Sequence, residues 1–181
     1  MENSLRQIKY IGGIGAILVL LTIVPYFGFL THIAGKVLLI IAFYKLSSIL
    51  KNKYIFSKYL TGFVISLMGI MIALISGIGF SLLFITKNKP TVQSMSLGVI
   101  AGIIIFWLIL IISSYYYSRS YKLLGKHFDL ELFNLAANFV MWGGITAIIL
   151  IGFILFFVSG ILMAIAFWHM PERIIEEQRT I

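Results

Sequence analysis

The chain has 181 residues, of which 61% are hydrophobic and only 11% charged, and its net charge is +8 at pH 7. Soluble domains carry roughly 45–50% apolar residues and about a quarter charged ones. Since a soluble protein this apolar could not cover its surface with polar groups, the composition excludes an ordinary soluble globular protein and indicates an integral membrane protein.

Four stretches without Asp, Glu, Lys or Arg cover residues 10–35, 59–86, 91–118 and 132–171. A membrane-spanning helix needs about 20 apolar residues to cross a hydrocarbon core about 30 Å thick. Each stretch is long enough, so the sequence predicts an all-α, polytopic helical membrane protein that forms a single bundle over 1–181.

The first apolar region is interrupted by the turn sequence Pro25-Tyr26-Phe27-Gly28. One uninterrupted helix over 8–50 would be about 60 Å long, twice the thickness of the hydrocarbon core. The pattern therefore predicts a hairpin of helices over 8–24 and 30–50. We expect the first helix to be retained, because it lacks the small-residue cleavage site of a signal peptide.

The third and fourth helices are predicted over 59–84 and 95–117, separated by Lys87-Asn88-Lys89-Pro90. The segment 121–134 then places apolar residues on one helical face and charged residues elsewhere, which predicts a short interfacial amphipathic helix. Tyrosines gather near the predicted inner interface, where an aromatic belt would form. They are Tyr10, Tyr44, Tyr59, Tyr115, Tyr116, Tyr117 and Tyr121.

Small residues recur at helical spacing in helices three and four, a pattern that lets helix backbones approach closely in lipid. The predicted helix-packing residues are Gly62, Ser66, Gly69, Ala73, Gly77, Ser81, Gly98 and Gly102. We expect helix three to lie centrally in the bundle, with this face against a neighbouring helix. A dimer contact is the alternative use of the same pattern.

The last apolar run is either one long helix or a hairpin. An internal repeat favours the hairpin, because Gly12-Gly13-Ile14 recurs as Gly143-Gly144-Ile145 and Gly28-Phe29 recurs as Gly152-Phe153. Helices over 135–150 and 153–169 then bring the count to about six, in three hairpins.

Charge placement agrees with six spans whose two termini are both cytoplasmic. That topology puts eleven Lys and Arg residues inside and three outside, as the positive-inside rule requires. The inner set is Arg6, Lys9, Lys45, Lys51, Lys53, Lys58, Arg119, Lys122, Lys126, Arg173 and Arg179, and the outer set is Lys36, Lys87 and Lys89. A single helix in the last run would give nine against five.

The chain offers few groups for chemistry. All six acidic residues lie outside the apolar spans, whereas coupled carriers usually hold a carboxylate inside the bundle. Cysteine is absent, the three histidines lie at two depths, and no nucleophile, phosphate-loop or dinucleotide motif occurs. We therefore expect no enzyme activity, no catalytic residue, no metal and no cofactor. Nucleic-acid binding is not expected either, because the positive charge lies in short loops.

Lys36 is the one charged residue inside an apolar span. Its long side chain could extend to the headgroups near the start of helix two. The sharper alternative is a contact with an anionic headgroup or substrate. Its partner in the internal repeat is Gly160, so the repeat supplies no second cation for a site.

Several apolar motifs together resemble a known family. They are Tyr10-Ile11-Gly12-Gly13-Ile14, the turn at 25–28, Ile40-Ile41-Ala42-Phe43-Tyr44-Lys45-Leu46-Ser47, and Gly160-Ile161-Leu162 ahead of Pro171. Over nearly its whole length the chain resembles the archaeal and bacterial membrane proteins called domain of unknown function 996. The resemblance implies a small multi-pass protein of a prokaryotic cell membrane. That family has no assigned activity, so no site residues carry over.

The sequence favours a non-enzymatic accessory, assembly or structural component of the cell membrane, because packing faces are plentiful and reactive groups are not. The alternative is a small transporter or channel for an ion or small solute, which the hairpin repeat favours. A lipid-modifying enzyme lacks any motif. The expected partner is the lipid bilayer, and a homo-oligomer or a larger membrane complex fits the small-residue faces.

Overall fold

A computed structural model describes residues 2–24, 26–85 and 92–172. This part of the chain is helical without any strand, as predicted. The helices are α1 (Glu2–Leu20), α2 (Gly28–Ile49), α3 (Lys53–Ile85), α4 (Val92–Phe128), α5 (Glu131–Thr146) and α6 (Ile151–His169), with 3₁₀ turns at Leu21–Ile23 and Ala147–Ile149.

Five helical segments in the described ranges are long and apolar enough to cross a membrane. They are Gly28–Ile49, Lys53–Ala73, Ile100–Phe128, Glu131–Ile149 and Ile151–His169. α1 is not among them, and its first half is polar, with Arg6, Gln7 and Lys9. The all-α fold with several membrane-length helices is therefore confirmed.

The helices form a closed ring in chain order, in which each packs against the next and α6 returns to α1. Short connections make successive helices antiparallel neighbours. The ring closes where Gly12 and Gly13 of α1 face the side chains of Phe167 and Trp168 of α6. α3 lies between α2 and α4, so the expectation that it is central was wrong.

The α1–α2 and α5–α6 hairpins turn in the same way. Each has a 3₁₀ turn and then a residue with positive φ, Tyr26 at 69° and Leu150 at 65°. Two residues later comes a glycine, Gly28 or Gly152, where a Cβ atom would collide with the carbonyl oxygen of Thr22 or of Gly143. The internal repeat in the sequence therefore corresponds to two similar helical hairpins, α1–α2 and α5–α6. The last apolar run forms two helices and not one.

Close backbone contact also joins α3 to α4. A Cβ added at Gly62 would lie 3.1 Å from the carbonyl oxygen of Ser113, and one at Gly69 would lie 2.7 Å from Ile109. The Ser113 hydroxyl donates to the Gly62 carbonyl at 2.9 Å, and the Ser120 hydroxyl donates to a carbonyl of α3 at 2.7 Å. Small residues and interhelical hydrogen bonds are how helices associate in lipid.

The other predicted packing residues are placed differently. Ser66 is half-buried and donates to the Phe63 carbonyl of its own helix, and Ala73 is exposed. A Cβ at Gly102 would meet no atom within 4 Å. Gly77, Ser81 and Gly98 lie outside the residues whose surroundings the structure describes.

The segment 121–134 does not form a separate interfacial helix. Its first part is the end of α4 and its last part is the start of α5, with a break at Asp129, where φ is 51°. The apolar face that predicted contact with the membrane surface is buried in the protein instead, because Leu124 is 0% and Phe128 4% exposed. The same amphipathic sequence pattern occurs in a helix that lies on a membrane surface and in a helix that packs against the rest of its protein.

We predict that Gly152→Ala destabilises the protein and Gly102→Ala does not. The added methyl group collides with backbone atoms of α5 at Gly152 and meets open space at Gly102. Overpacking of this kind costs about 1–3 kcal/mol, whereas Gly→Ala in an open helix position stabilises by up to about 1 kcal/mol. Thermal unfolding in detergent, followed by circular dichroism, measures both. Equal midpoints for the two variants would contradict the α5–α6 contact.

Candidate functional site

A cluster of aromatic rings fills the middle of the helical ring. Phe43 of α2 stacks on Tyr59 of α3, with ring centroids 4.1 Å apart. The same phenylalanine lies 5.8 Å from the ring of Tyr121 on α4 and 6.1 Å from that of Phe167 on α6. One side chain therefore contacts three other helices, which fixes the positions of the residues around it.

Three tyrosines lie on one side of this cluster. The ring centroids of Tyr59 and Tyr117 are 5.1 Å apart, and those of Tyr117 and Tyr121 are 6.2 Å apart. Tyr59 is 0% and Tyr117 6% exposed. These three side chains are buried inside the bundle, so placing them in an aromatic belt against lipid was wrong.

The hydroxyl groups of Tyr59 and Tyr117 are buried without a hydrogen-bond partner among the described residues. A buried polar group without a partner costs about 1–3 kcal/mol, and most buried polar groups in proteins are paired. Two such hydroxyls on neighbouring rings therefore indicate a place where a polar ligand would gain hydrogen bonds.

The ammonium group of Lys36 lies over the ring of Tyr117, 4.7 Å from its centroid. Lys36 is about two turns into α2, about 12 Å along the helix axis from Gly28. Its half-buried side chain extends across the bundle to α4 and not back toward the end of α2. A cation over an aromatic face gains about 0.5–2 kcal/mol, more when it is desolvated.

Among the residues that the structure describes, no carboxylate forms an ion pair with Lys36. The ion pair found in the described part of the chain joins Lys9 to Glu172, with a nitrogen–oxygen distance of 3.9 Å. A lysine at the centre of a membrane helix costs about 2.5–3.5 kcal/mol on insertion scales. The observations in this part of the bundle are a cation over the ring of Tyr117 and, on Tyr117 and Tyr59, two buried hydroxyls without a hydrogen-bond partner among the described residues.

The histidines lie in three separate places. His32 Nδ1 is 2.9 Å from the Thr22 hydroxyl near the α1–α2 turn, and the Asn52 amide is 3.0 Å from His127 Nε2. His169 Nδ1 is 2.9 Å from the Ile165 carbonyl of its own helix. Within the described ranges no three His, Cys, Asp or Glu side chains lie close enough to hold a metal ion.

The remaining described cations lie at the end of the ring where α1 begins and α6 ends, which we call the basic end. They are Arg6, Lys9, Lys45, Lys51, Lys53, Lys58, Arg119, Lys122 and Lys126. The charge distribution is therefore one-sided in the described part of the chain, and Lys36 stands apart from it.

Comparison with known proteins adds the family. The family model described as a protein of unknown function (DUF996) matches residues 31–161, which include Lys36, Tyr59 and Tyr117. An uncharacterized protein of Methanocaldococcus jannaschii is 30% identical over 174 residues, which cover 95% of this chain and 96% of that protein. No solved structure matches the chain significantly. The chain therefore belongs to the DUF996 family, as the apolar motifs predicted.

Proposed function

We propose that this protein is a small membrane transporter or channel that binds a monovalent anion at Lys36 and carries it across the membrane. The observation that supports this most is the position of the Lys36 ammonium, 4.7 Å from the Tyr117 ring centroid. Tyr117 and its neighbour Tyr59 each carry a buried hydroxyl without a hydrogen-bond partner among the described residues.

This proposal takes the alternative that the sequence left open, in place of a purely accessory or structural role. A structural helix gains nothing from an interior cation, since an apolar residue would avoid the cost of burial. The repeat equivalent of Lys36 illustrates this, because Gly160 simply packs against the Leu20 side chain. A homo-oligomer or a larger complex stays a prediction.

The chemistry of the site favours a small anion of single charge. The ammonium group brings one positive charge and three donors, and each phenol hydroxyl adds one donor. Attraction between opposite charges is several times stronger in an apolar bundle than in water. Since no Asp or Glu occurs in the four charge-free stretches of the sequence, we expect passive flow that is coupled to neither protons nor sodium. The proposed role makes no covalent bond and needs no metal or cofactor.

We propose further that the protein lies in the cell membrane with both termini in the cytoplasm. The basic end carries nine of the described cations and is where α1 begins and α6 ends, and cytoplasmic loops are enriched in Lys and Arg. Reporter fusions that are active only in the cytoplasm should work at either terminus. Termini on opposite sides would contradict this orientation.

We predict that purified protein in liposomes dissipates a gradient of chloride or nitrate, and that Lys36→Met slows this flux at least tenfold. Tenfold corresponds to about 1.4 kcal/mol of lost interaction with the anion. Lys36→Arg keeps the charge and should retain most of the flux. No anion flux in the wild type, or equal flux in Lys36→Met, would contradict the proposal.

Tyr59→Phe separates anion binding from folding. The Tyr59 hydroxyl has no hydrogen-bond partner among the described residues, so its removal should leave the free energy of unfolding unchanged or raise it by up to about 1 kcal/mol. The flux should nevertheless fall. Tyr44→Phe is the matched control, because Tyr44 is 60% exposed and lies away from Lys36 on the same helix. Equal flux in the two variants would exclude the buried hydroxyl from the site.

A further inference from the structure

A groove of about 440 Å³ lies between α3 and α4 near the basic end. Its polar lining consists of Tyr54, Lys58, Tyr115, Arg119, Lys122 and Lys126. We call this surface the basic groove. Four of these residues are cations, and neither Asp nor Glu lines it.

Aromatic rings position two of the cations without neutralising them. The guanidinium of Arg119 lies 5.2 Å from the ring centroid of Tyr115, and its Nε donates to the Tyr115 hydroxyl at 3.1 Å. The ammonium of Lys58 lies 5.3 Å from the ring centroid of Tyr116. Because tyrosines and not carboxylates hold these groups, the groove keeps its positive charge for a ligand.

The basic groove faces outward from the ring of helices. Arg119, Lys122 and Lys126 are exposed, whereas their neighbours Ser120 and Leu124 are buried. α4 has 37 residues and is about 55 Å long, so one end or both must extend beyond a hydrocarbon core about 30 Å thick. Arg119 follows directly after the charge-free stretch 91–118. The groove therefore lies at the depth of the lipid headgroups.

An apolar strip continues the same face of α4 toward the middle of the membrane. Leu108 and Ile112 are each 48% exposed, and they precede Tyr115 and Arg119 at helical spacing. A strip of this kind offers nothing to a free inorganic anion, but it fits the hydrocarbon chains of a lipid. The same face thus presents cations for a headgroup and apolar side chains for the chains below it.

We propose that the basic groove binds one anionic membrane lipid, with its phosphate among Arg119, Lys122, Lys126 and Lys58 and its chains along Leu108 and Ile112. Basic pockets between membrane helices bind anionic headgroups in this way. This site is separate from Lys36 and does not depend on the proposed transport. Its ligand is recognised by a phosphate joined to apolar chains.

The test compares two double variants that remove the same charge from the same end of the protein. Arg119→Gln with Lys122→Gln alters the basic groove, and Arg6→Gln with Lys51→Gln alters exposed cations elsewhere at the basic end. Each purified protein is titrated with phosphatidylglycerol in zwitterionic detergent micelles, and bound lipid is counted by native mass spectrometry. Lys126→Gln is a milder variant in case the groove double variant does not fold.

We expect the groove variant to lose at least tenfold in affinity for phosphatidylglycerol and the control to stay within about twofold of the wild type, since general surface attraction would weaken equally in both. Lys126→Gln should fall between them. Inorganic phosphate at millimolar concentration should not compete. Equal loss in the two double variants would overturn a specific site, and full competition by inorganic phosphate would overturn the choice of a lipid.

Discussion

Helices in hydrocarbon gain little by hiding apolar side chains from one another, so this fold depends on close contact between backbones. Glycines provide that contact in the first and last hairpins. Gly15 of α1 approaches Gly35 of α2, and Gly143 of α5 approaches Gly152 of α6. A buried serine adds a hydrogen bond between α5 and α6, from Ser159 to a carbonyl oxygen at 2.8 Å. With the hairpins held in this way, the bulky side chains of the ring are free to fill its middle around Phe43.

The hydrocarbon around the helices also determines which polar groups point to a function. Cations at the basic end cost little, because their long side chains reach water or headgroups. Lys36 differs from them, because its half-buried side chain places the ammonium over the ring of Tyr117. The hydroxyls of Tyr59 and Tyr117 add two more polar groups without partners. These two hydroxyls and the cation over Tyr117 are the observations that support the proposed anion binding.

Much of the fold follows from the sequence, because long charge-free runs and turn residues have few other meanings. Gly28 and Gly152 marked the two equivalent turns correctly. The helix ends were less predictable, since α3 begins at Lys53 and not at 59, where the charge-free run starts. A charge-free run shows which residues can lie in the hydrocarbon core, but it does not show where a helix begins or ends. Burial of Ile55 and its hydrogen bond from Ser120 keep the extra turns of α3 folded.

The candidate site was only half visible in the sequence. Lys36 stood out as a lone charge, but Tyr117, whose ring it contacts, and the neighbouring Tyr59 and Tyr121 looked like residues of a lipid-facing belt. A tyrosine near a helix end has the same sequence pattern whether it faces lipid or core, and only the neighbouring helices decide. Gly102 shows the same ambiguity, because a small residue in a helix does not reveal which side of the helix is covered.

Whether water-soluble anions reach Lys36 can be measured directly, because the chain has no cysteine and single-cysteine variants are unambiguous. Lys36→Cys in liposomes should react with a small, water-soluble sulfonate thiol reagent. Val37→Cys, at a 48% exposed position facing away from the bundle interior, should stay unlabelled in lipid. If Lys36→Cys proves as unreactive as Val37→Cys, no anion reaches the middle of the ring and the proposed site does not exist.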